Sequence, residues 1–205
     1  MSYRTQSPFS FTEKELFDLA LAWVTLSVAF ALLLSPIHLG LASVGRFLTM
    51  IALSFVTVGV GFLAHELAHK VVAIHFGQVA EFRADYQMLF LAIMSALIGF
   101  LFAAPGAVYH RGRLTYRQNG LIALAGPLTN HALAALFFPL FFLPGILGQV
   151  GQMGVWINLF LAAFNMVPFG PLDGRSVLEW NRAVFAAVFV PSVVLAGYVI
   201  LRVGI

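Results

Sequence analysis

Residues 46–75 read RFLTMIALSFVTVGVGFLAHELAHKVVAIH. At 1.5 Å per residue, about 20 helical residues cross a hydrocarbon core about 30 Å thick, so this run is long enough to span a bilayer. Toward its C-terminal end it carries His65-Glu66-Leu67-Ala68-His69-Lys70. Ionisable groups at bilayer depth cost roughly 2.5–3.5 kcal/mol each on insertion scales, so a cluster of them inside an apolar span needs a compensating role. On a helix the i, i+4 spacing stacks the two imidazoles on one face, where both can grip one metal ion. Glu66 lies beside them, the arrangement in which zinc polarises a water and a carboxylate takes its proton. The spacing therefore points to hydrolysis. The same letters at a helix end of a soluble chain would be ordinary polar residues, and the apolar sequence around them weighs against that reading.

Outward from this run the chain stays apolar. Of 205 residues, 61% are hydrophobic and 9% charged, where a soluble domain carries about a quarter charged. Further runs of membrane length occupy about 16–36, 119–144, 149–168 and 182–203. A sixth, about 87–108, ends in Ala-Ala-Pro-Gly-Ala-Val, which breaks a helix before it has crossed. The alternating stretch 78–85 and the short stretch 107–110 after Pro105-Gly106 read either as strands or as connecting loops. The expected fold is an all-α polytopic membrane protein, a single domain over 1–205. It is a bundle of five to six transmembrane helices with a short membrane-associated strand or re-entrant segment near 78–117. Glu13, Lys14, Glu15 and Asp18 precede the first run in place of a basic leader, so that span is expected to be retained. A net charge of +3 with no contiguous basic run argues against nucleic acid as a partner and leaves the lipid bilayer. The absence of cysteine excludes thiolate chemistry and restricts metal ligands to His, Asp and Glu.

Two histidines and a water leave a tetrahedral zinc one protein ligand short. Asp173 is the candidate third donor. It lies in Asn165-Met-Val-Pro168-Phe-Gly170-Pro171-Leu-Asp173-Gly174, where prolines end the span that starts near 149 and glycines permit an irregular backbone. Such backbone is tolerated at membrane depth only against protein or a water-filled cavity. A turn aspartate capping the next helix is the simpler account of the segment alone. The lone charged cluster elsewhere in the chain favours the ligand.

With these segments in hand, the chain resembles the site-2 protease family of intramembrane zinc metalloproteases. Three elements carry the resemblance, in the same order: HExxH at 65–69, Gly126-Pro127-Leu128-Thr129-Asn130, and the Asn165…Leu172-Asp173-Gly174 segment. The resemblance implies one zinc ion held by His65, His69 and Asp173, with Glu66 as general base. It implies cleavage of a peptide bond within or beside a transmembrane segment of a membrane-protein substrate. It also gives Asn130 and Asn165 a part in binding substrate or stabilising the oxyanion, against the plain alternative of helix–helix hydrogen bonds. His131 stands outside the motif and reads as a packing residue. With neither a PDZ-like insertion nor a CBS pair in sight, the expectation is a minimal form of the family.

The basic residues bear on orientation. If 87–108 dips into the membrane and returns, Arg4, Lys14, Lys70, Arg83, Arg111, Arg113, Arg117, Arg175 and Arg182 share one side, against Arg46 and Arg202. A full crossing would erase the bias. The positive-inside rule thus prefers the re-entrant reading, a multi-pass cell-membrane protein whose active site opens toward the cytoplasm. Lys70 is expected to snorkel to the interface rather than pair with a carboxylate. Two other functional readings stay open: a metal-binding or metal-transport protein of the membrane, and a silent scaffold. A transport route would show polar residues along several spans, and the sequence holds one cluster.

Overall fold

The computed structural model describes residues 9–203 other than residue 103, so Arg4 of the charge count lies outside them. The first helix, α1 (Glu13–Leu34), starts at Thr12, whose hydroxyl accepts the Glu15 N–H. That contact satisfies one of the four N–H groups a helix start leaves unpaired. Helices α2 (Val44–Ser54) and α3 (Val60–His75) form one continuous span through a π-turn at Phe55–Gly59. Trp23 on α1 donates its indole N–H to the Phe55 carbonyl at 3.0 Å. A π-turn loosens the regular i→i−4 ladder and here lies one to two turns ahead of the HExxH segment.

After α3 come β1 (Val79–Ala84), α4 (Tyr86–Leu97), β2 (Gly106–Arg111) and α5 (Tyr116–Phe137). The chain ends in α6 (Gly145–Asn165), α7 (Asp173–Trp180) and α8 (Arg182–Val203). Five helical stretches among the described residues are long and apolar enough to cross a membrane: Glu13–Leu34, Val44–His75, Tyr116–Phe142, Gly145–Asn165 and Arg182–Arg202. The ambiguous stretch 87–108 is not a sixth. Its helix α4 has 12 residues, about 18 Å of rise against a core of about 30 Å. Gly99, at φ 89°, then turns the chain toward β2.

Strands β1 and β2 pair antiparallel, from Val79 opposite Arg111 to Ala84 opposite Gly106. Both stretches that read as strand or loop are therefore strands. The outer edge of β1 is closed by α1: the Phe82 N–H donates to Glu15 Oε1 at 3.0 Å and the Ala84 N–H to Asp18 Oδ2 at 3.3 Å.

Lys70 departs from expectation. Instead of snorkelling, its side chain is almost wholly buried, with Nζ 2.7 and 2.5 Å from the two carboxylate oxygens of Glu15 and 2.7 Å from the Ser10 carbonyl. The ring of Phe11 lies 3.9 Å from the same ammonium. A carboxylate already fixed on α1 satisfies the charge inside the protein, so the side chain has no need to reach water.

Helix α5 sits at the centre, against α3, α6 and α7. Leu26, Phe30, Val58, Phe62, Phe82 and Ile157 tie α1, the π-turn span, β1 and α6 into the main core. Helix α8 is the outlier: 11% of its apolar window is buried, so its surface suits lipid rather than a protein core.

Candidate metal centre

His65 and His69 lie one turn apart on the face of α3 that meets α5, both largely buried, with ring centroids 4.6 Å apart. Asp173 is the first residue of α7. The irregular Met166–Leu172 segment carries it back from the end of α6, so that its Oδ2 lies 3.2 Å from His65 Nε2 and 3.3 Å from His69 Nε2. Three residues from two distant segments thus converge, each offering one ligand atom within 4.8 Å of the others.

The far side of each ring decides what these atoms can do. His65 Nδ1 is 2.6 Å from Asn130 Oδ1, and His69 Nδ1 is 2.7 Å from the Ile122 carbonyl. Neither partner can donate, so both Nδ1 atoms carry a proton, and it is the Nε2 atoms that turn inward as the candidate ligand atoms. They meet Asp173 Oδ2, a buried oxygen with no hydrogen-bond partner among the described residues. Two imidazole nitrogens and a carboxylate oxygen thus face one another at a spacing that one metal ion could bridge. The spacing suits zinc, because ligands about 2.0–2.1 Å from a tetrahedral centre stand about 3.3 Å apart. Three protein ligands also leave a fourth position open, as in catalytic rather than structural zinc sites.

Asn130 itself is wholly buried. Its Nδ2 donates to the Gly61 carbonyl at 3.2 Å and to Asn158 Oδ1 at 2.9 Å, while Asn158 Nδ2 donates to the Gly154 carbonyl at 2.9 Å. Both amide orientations are fixed by carbonyls, and the run from α6 through α5 ends by locking the His65 tautomer. Such outer partners orient a ligating histidine and raise its basicity. Asn130 therefore backs His65, and it is not among the residues lining the adjoining cavity. This differs from the oxyanion role that the resemblance implied, because both its N–H groups are already engaged. Asn165 does line the cavity, with its Nδ2 donating to Leu161 of its own helix at 3.0 Å. Glu66 lines it too, 8% exposed. His131 is remote from this group in bonding, its ring held between the Pro127 carbonyl and Ser192 Oγ.

Sequence comparison points to the same chemistry. The chain is 44% identical over 200 residues to a protein of Methanocaldococcus jannaschii named "Putative zinc metalloprotease MJ0611", covering 95% of this chain and 97% of that protein. The chain belongs to the site-2 protease-like family of zinc metalloproteases. It is 32% identical to "Putative zinc metalloprotease YwhC" of Bacillus subtilis over 60% of this chain and 66% of that one. Against "Putative zinc metalloprotease Rip3" of Mycobacterium tuberculosis it is 33% identical over 58% of this chain and 29% of that one. No family model and no solved structure matches.

In this metalloprotease one further residue shapes the centre. A Cβ at Gly126 would stand 2.5 Å from Cε1 and Nε2 of His65 and 2.6 Å from Nε2 of His69. Only a glycine lets α5 approach the imidazoles here. Sequence reading named Gly126 inside the Gly-Pro-Leu-Thr-Asn element without giving it a task; a glycine in mid-span, where helix propensity disfavours it, was the available signal. Asn158 was missed altogether, and a lone Asn in an apolar span was its only mark.

Proposed function

We propose that this zinc metalloprotease is an intramembrane endopeptidase that hydrolyses a peptide bond within or beside a transmembrane segment of a membrane-protein substrate, in regulated intramembrane proteolysis. The observation that carries the reading is the convergence of His65, His69 and Asp173 beside Glu66 in one cavity of about 240 Å³, at the ends of membrane-length helices. His65, His69 and Asp173 would hold the zinc. When bound, zinc supplies the Lewis acidity that makes water a nucleophile near neutral pH. Glu66 accepts the proton of the attacking water and returns it to the leaving amine. Asn165, which lines the cavity, would meet the substrate main chain through its side-chain carbonyl.

A helical substrate has to be unwound before it is cut, and β2 offers an edge for the opened chain. Phe82 and Ala84 turn their N–H groups away from β2 toward α1. In an antiparallel pair their partners Val108 and Gly106 therefore turn theirs away from β1 as well. That edge borders the cavity, since Gly106, Val108 and His110 all line it. With the other edge already filled by Glu15 and Asp18, main-chain pairing with substrate falls to β2.

The basic residues support a cytoplasmic opening. Eight of them among the described residues (Lys14, Lys70, Arg83, Arg111, Arg113, Arg117, Arg175 and Arg182) fall on the side where α3 and α6 end.

The test is Glu66→Gln in purified protein, with zinc content measured beside cleavage of single-span substrates. Retained zinc with cleavage lost is expected. Cleavage at the wild-type rate would remove Glu66 from the mechanism.

A further inference from the structure

The side chain of His110 lines the active-site cavity. Along β2 the residues alternate, with Gly106, Val108 and His110 partly buried and Ala107, Tyr109 and Arg111 exposed. The imidazole therefore shares the inner face with Val108, which packs against the cluster formed by Ala73, Ala80 and, from α5, Ile122. One step further along β2 is His110, and one turn back along α5 is Asn119. Only residues 112–115 separate the end of β2 from the start of α5, so the two lie at the same end of the cavity. Asn119 Nδ2 in turn donates to Ser176 Oγ at 3.1 Å, and Ser176 sits one turn beyond Asp173 on α7. The Nδ1 atom of His110 is buried and has no hydrogen-bond partner among the described residues. Buried polar atoms are paired in the great majority of cases, so an unpaired one on a cavity wall marks a place where something else completes the bond.

We propose that His110, Asn119 and Ser176 form a polar subsite of the active-site cavity that receives a hydroxyl or carboxamide side chain of the substrate beside the scissile bond. The inference rests on the proteolytic reading and names part of its specificity. The three groups present a mixed set: a ring nitrogen, the free Oδ1 and second N–H of Asn119, and the hydroxyl hydrogen of Ser176. Ser, Thr, Asn and Gln side chains both donate and accept, so they can satisfy such a set. A carboxylate only accepts, and an aliphatic side chain leaves every group unpaired. Sites built to hydrogen-bond a substrate reject the analogue that lacks the polar group. Leu26, Phe30 and Phe62 give another part of the cavity wall an apolar surface.

The test uses full-length zinc-loaded protein in lipid nanodiscs and single-span substrates in which each position from three before to three after the cut carries Ser, Asn or Leu. At one position, kcat/KM for Ser or Asn is expected to exceed that for Leu by at least about tenfold, and His110→Leu to bring the ratio to about one. Ser176→Ala should lower the ratio at that same position, with zinc content unchanged in both variants. A ratio that survives His110→Leu, or an equal slowing of every substrate, overturns the subsite. The same peptides are also titrated by fluorescence anisotropy onto the Glu66→Gln protein with and without His110→Leu. Binding that prefers Ser or Asn through His110 supports the subsite even if no substrate is cut, in which case the proteolytic reading alone has failed. Binding without preference overturns it.

Discussion

Gly126→Ala is the sharpest test of the geometry, because one methyl group is set against two pinned rings. The added Cβ would stand 2.5 Å from His65 Nε2 and 2.6 Å from His69 Nε2, where ordinary contact begins at 3.4 Å. The rings would have to retreat by about 0.8–0.9 Å, whereas zinc ligands keep their distances within about 0.2 Å. They have little freedom to do so, since each Nδ1 is anchored, one to Asn130 and the other to the Ile122 carbonyl. Overpacking of this kind costs about 1–3 kcal/mol. Ala, however, favours a helix over Gly by about 1 kcal/mol, so the apoprotein should keep its helicity and much of its stability.

The two effects separate cleanly in measurement. Zinc affinity by chelator competition is expected to fall by at least about 100-fold, equivalent to about 2.8 kcal/mol, because the ligands themselves are displaced. Far-UV circular dichroism of the same sample is expected to match wild type, and cleavage to be lost with the metal. A Gly126→Ala protein that binds one zinc per chain at wild-type affinity would refute the close approach of α5 to the HExxH face.

Other expectations follow from neighbouring contacts. Asn130→Leu should weaken zinc binding by about 10–100-fold through loss of the hydrogen bond that orients His65, read by the same competition assay; unchanged affinity would reduce Asn130 to packing. Glu15→Leu should destabilise the fold by about 3–5 kcal/mol by stranding the Lys70 ammonium, and Glu15→Leu with Lys70→Met should recover part of that in equilibrium unfolding. If the double variant is no more stable than the single one, the pair is not the cause. Val108→Pro removes an outward-facing N–H of β2 and should abolish cleavage with zinc retained, whereas undiminished turnover would remove the strand-pairing step.

How much of this was legible in the sequence depended on whether a feature is local. The i, i+4 histidines fix their own geometry once a helix is granted, and helix length follows from apolar length, so the five spans and the His65–Glu66–His69 face could be read directly. Asp173 could be reached as a chemical requirement, the missing ligand, and through the family resemblance, because nothing in the local physics of residues 165–174 states where the loop returns. Asn130 and Lys70 show where local reading fails. For Asn130 a substrate-facing amide, implied by the resemblance, stood beside a helix–helix hydrogen bond, and Lys70 was assigned by its type as a snorkelling cation. The tertiary partners Asn158 and Glu15, 28 and 55 residues away, fixed both inward.

Lys70 follows His69 directly, so the Glu15 carboxylate grips the metal-binding helix one residue past its second ligand. The same carboxylate accepts the N–H of Phe82, at the middle of β1. One side chain of α1 therefore sets both the end of the metal helix and the position of the strand that carries β2. A hydrolase that must bring a peptide edge to a metal within a few tenths of an ångström needs those two elements in fixed register, and an ordinary hydrophobic contact between them would leave that register free to slide. Direct hydrogen bonds to a buried ion pair do not slide without stranding a charge, at a penalty of several kcal/mol. A buried pair whose net stabilisation is small thus acts here by fixing geometry, and its energetic weight appears only when one member is removed.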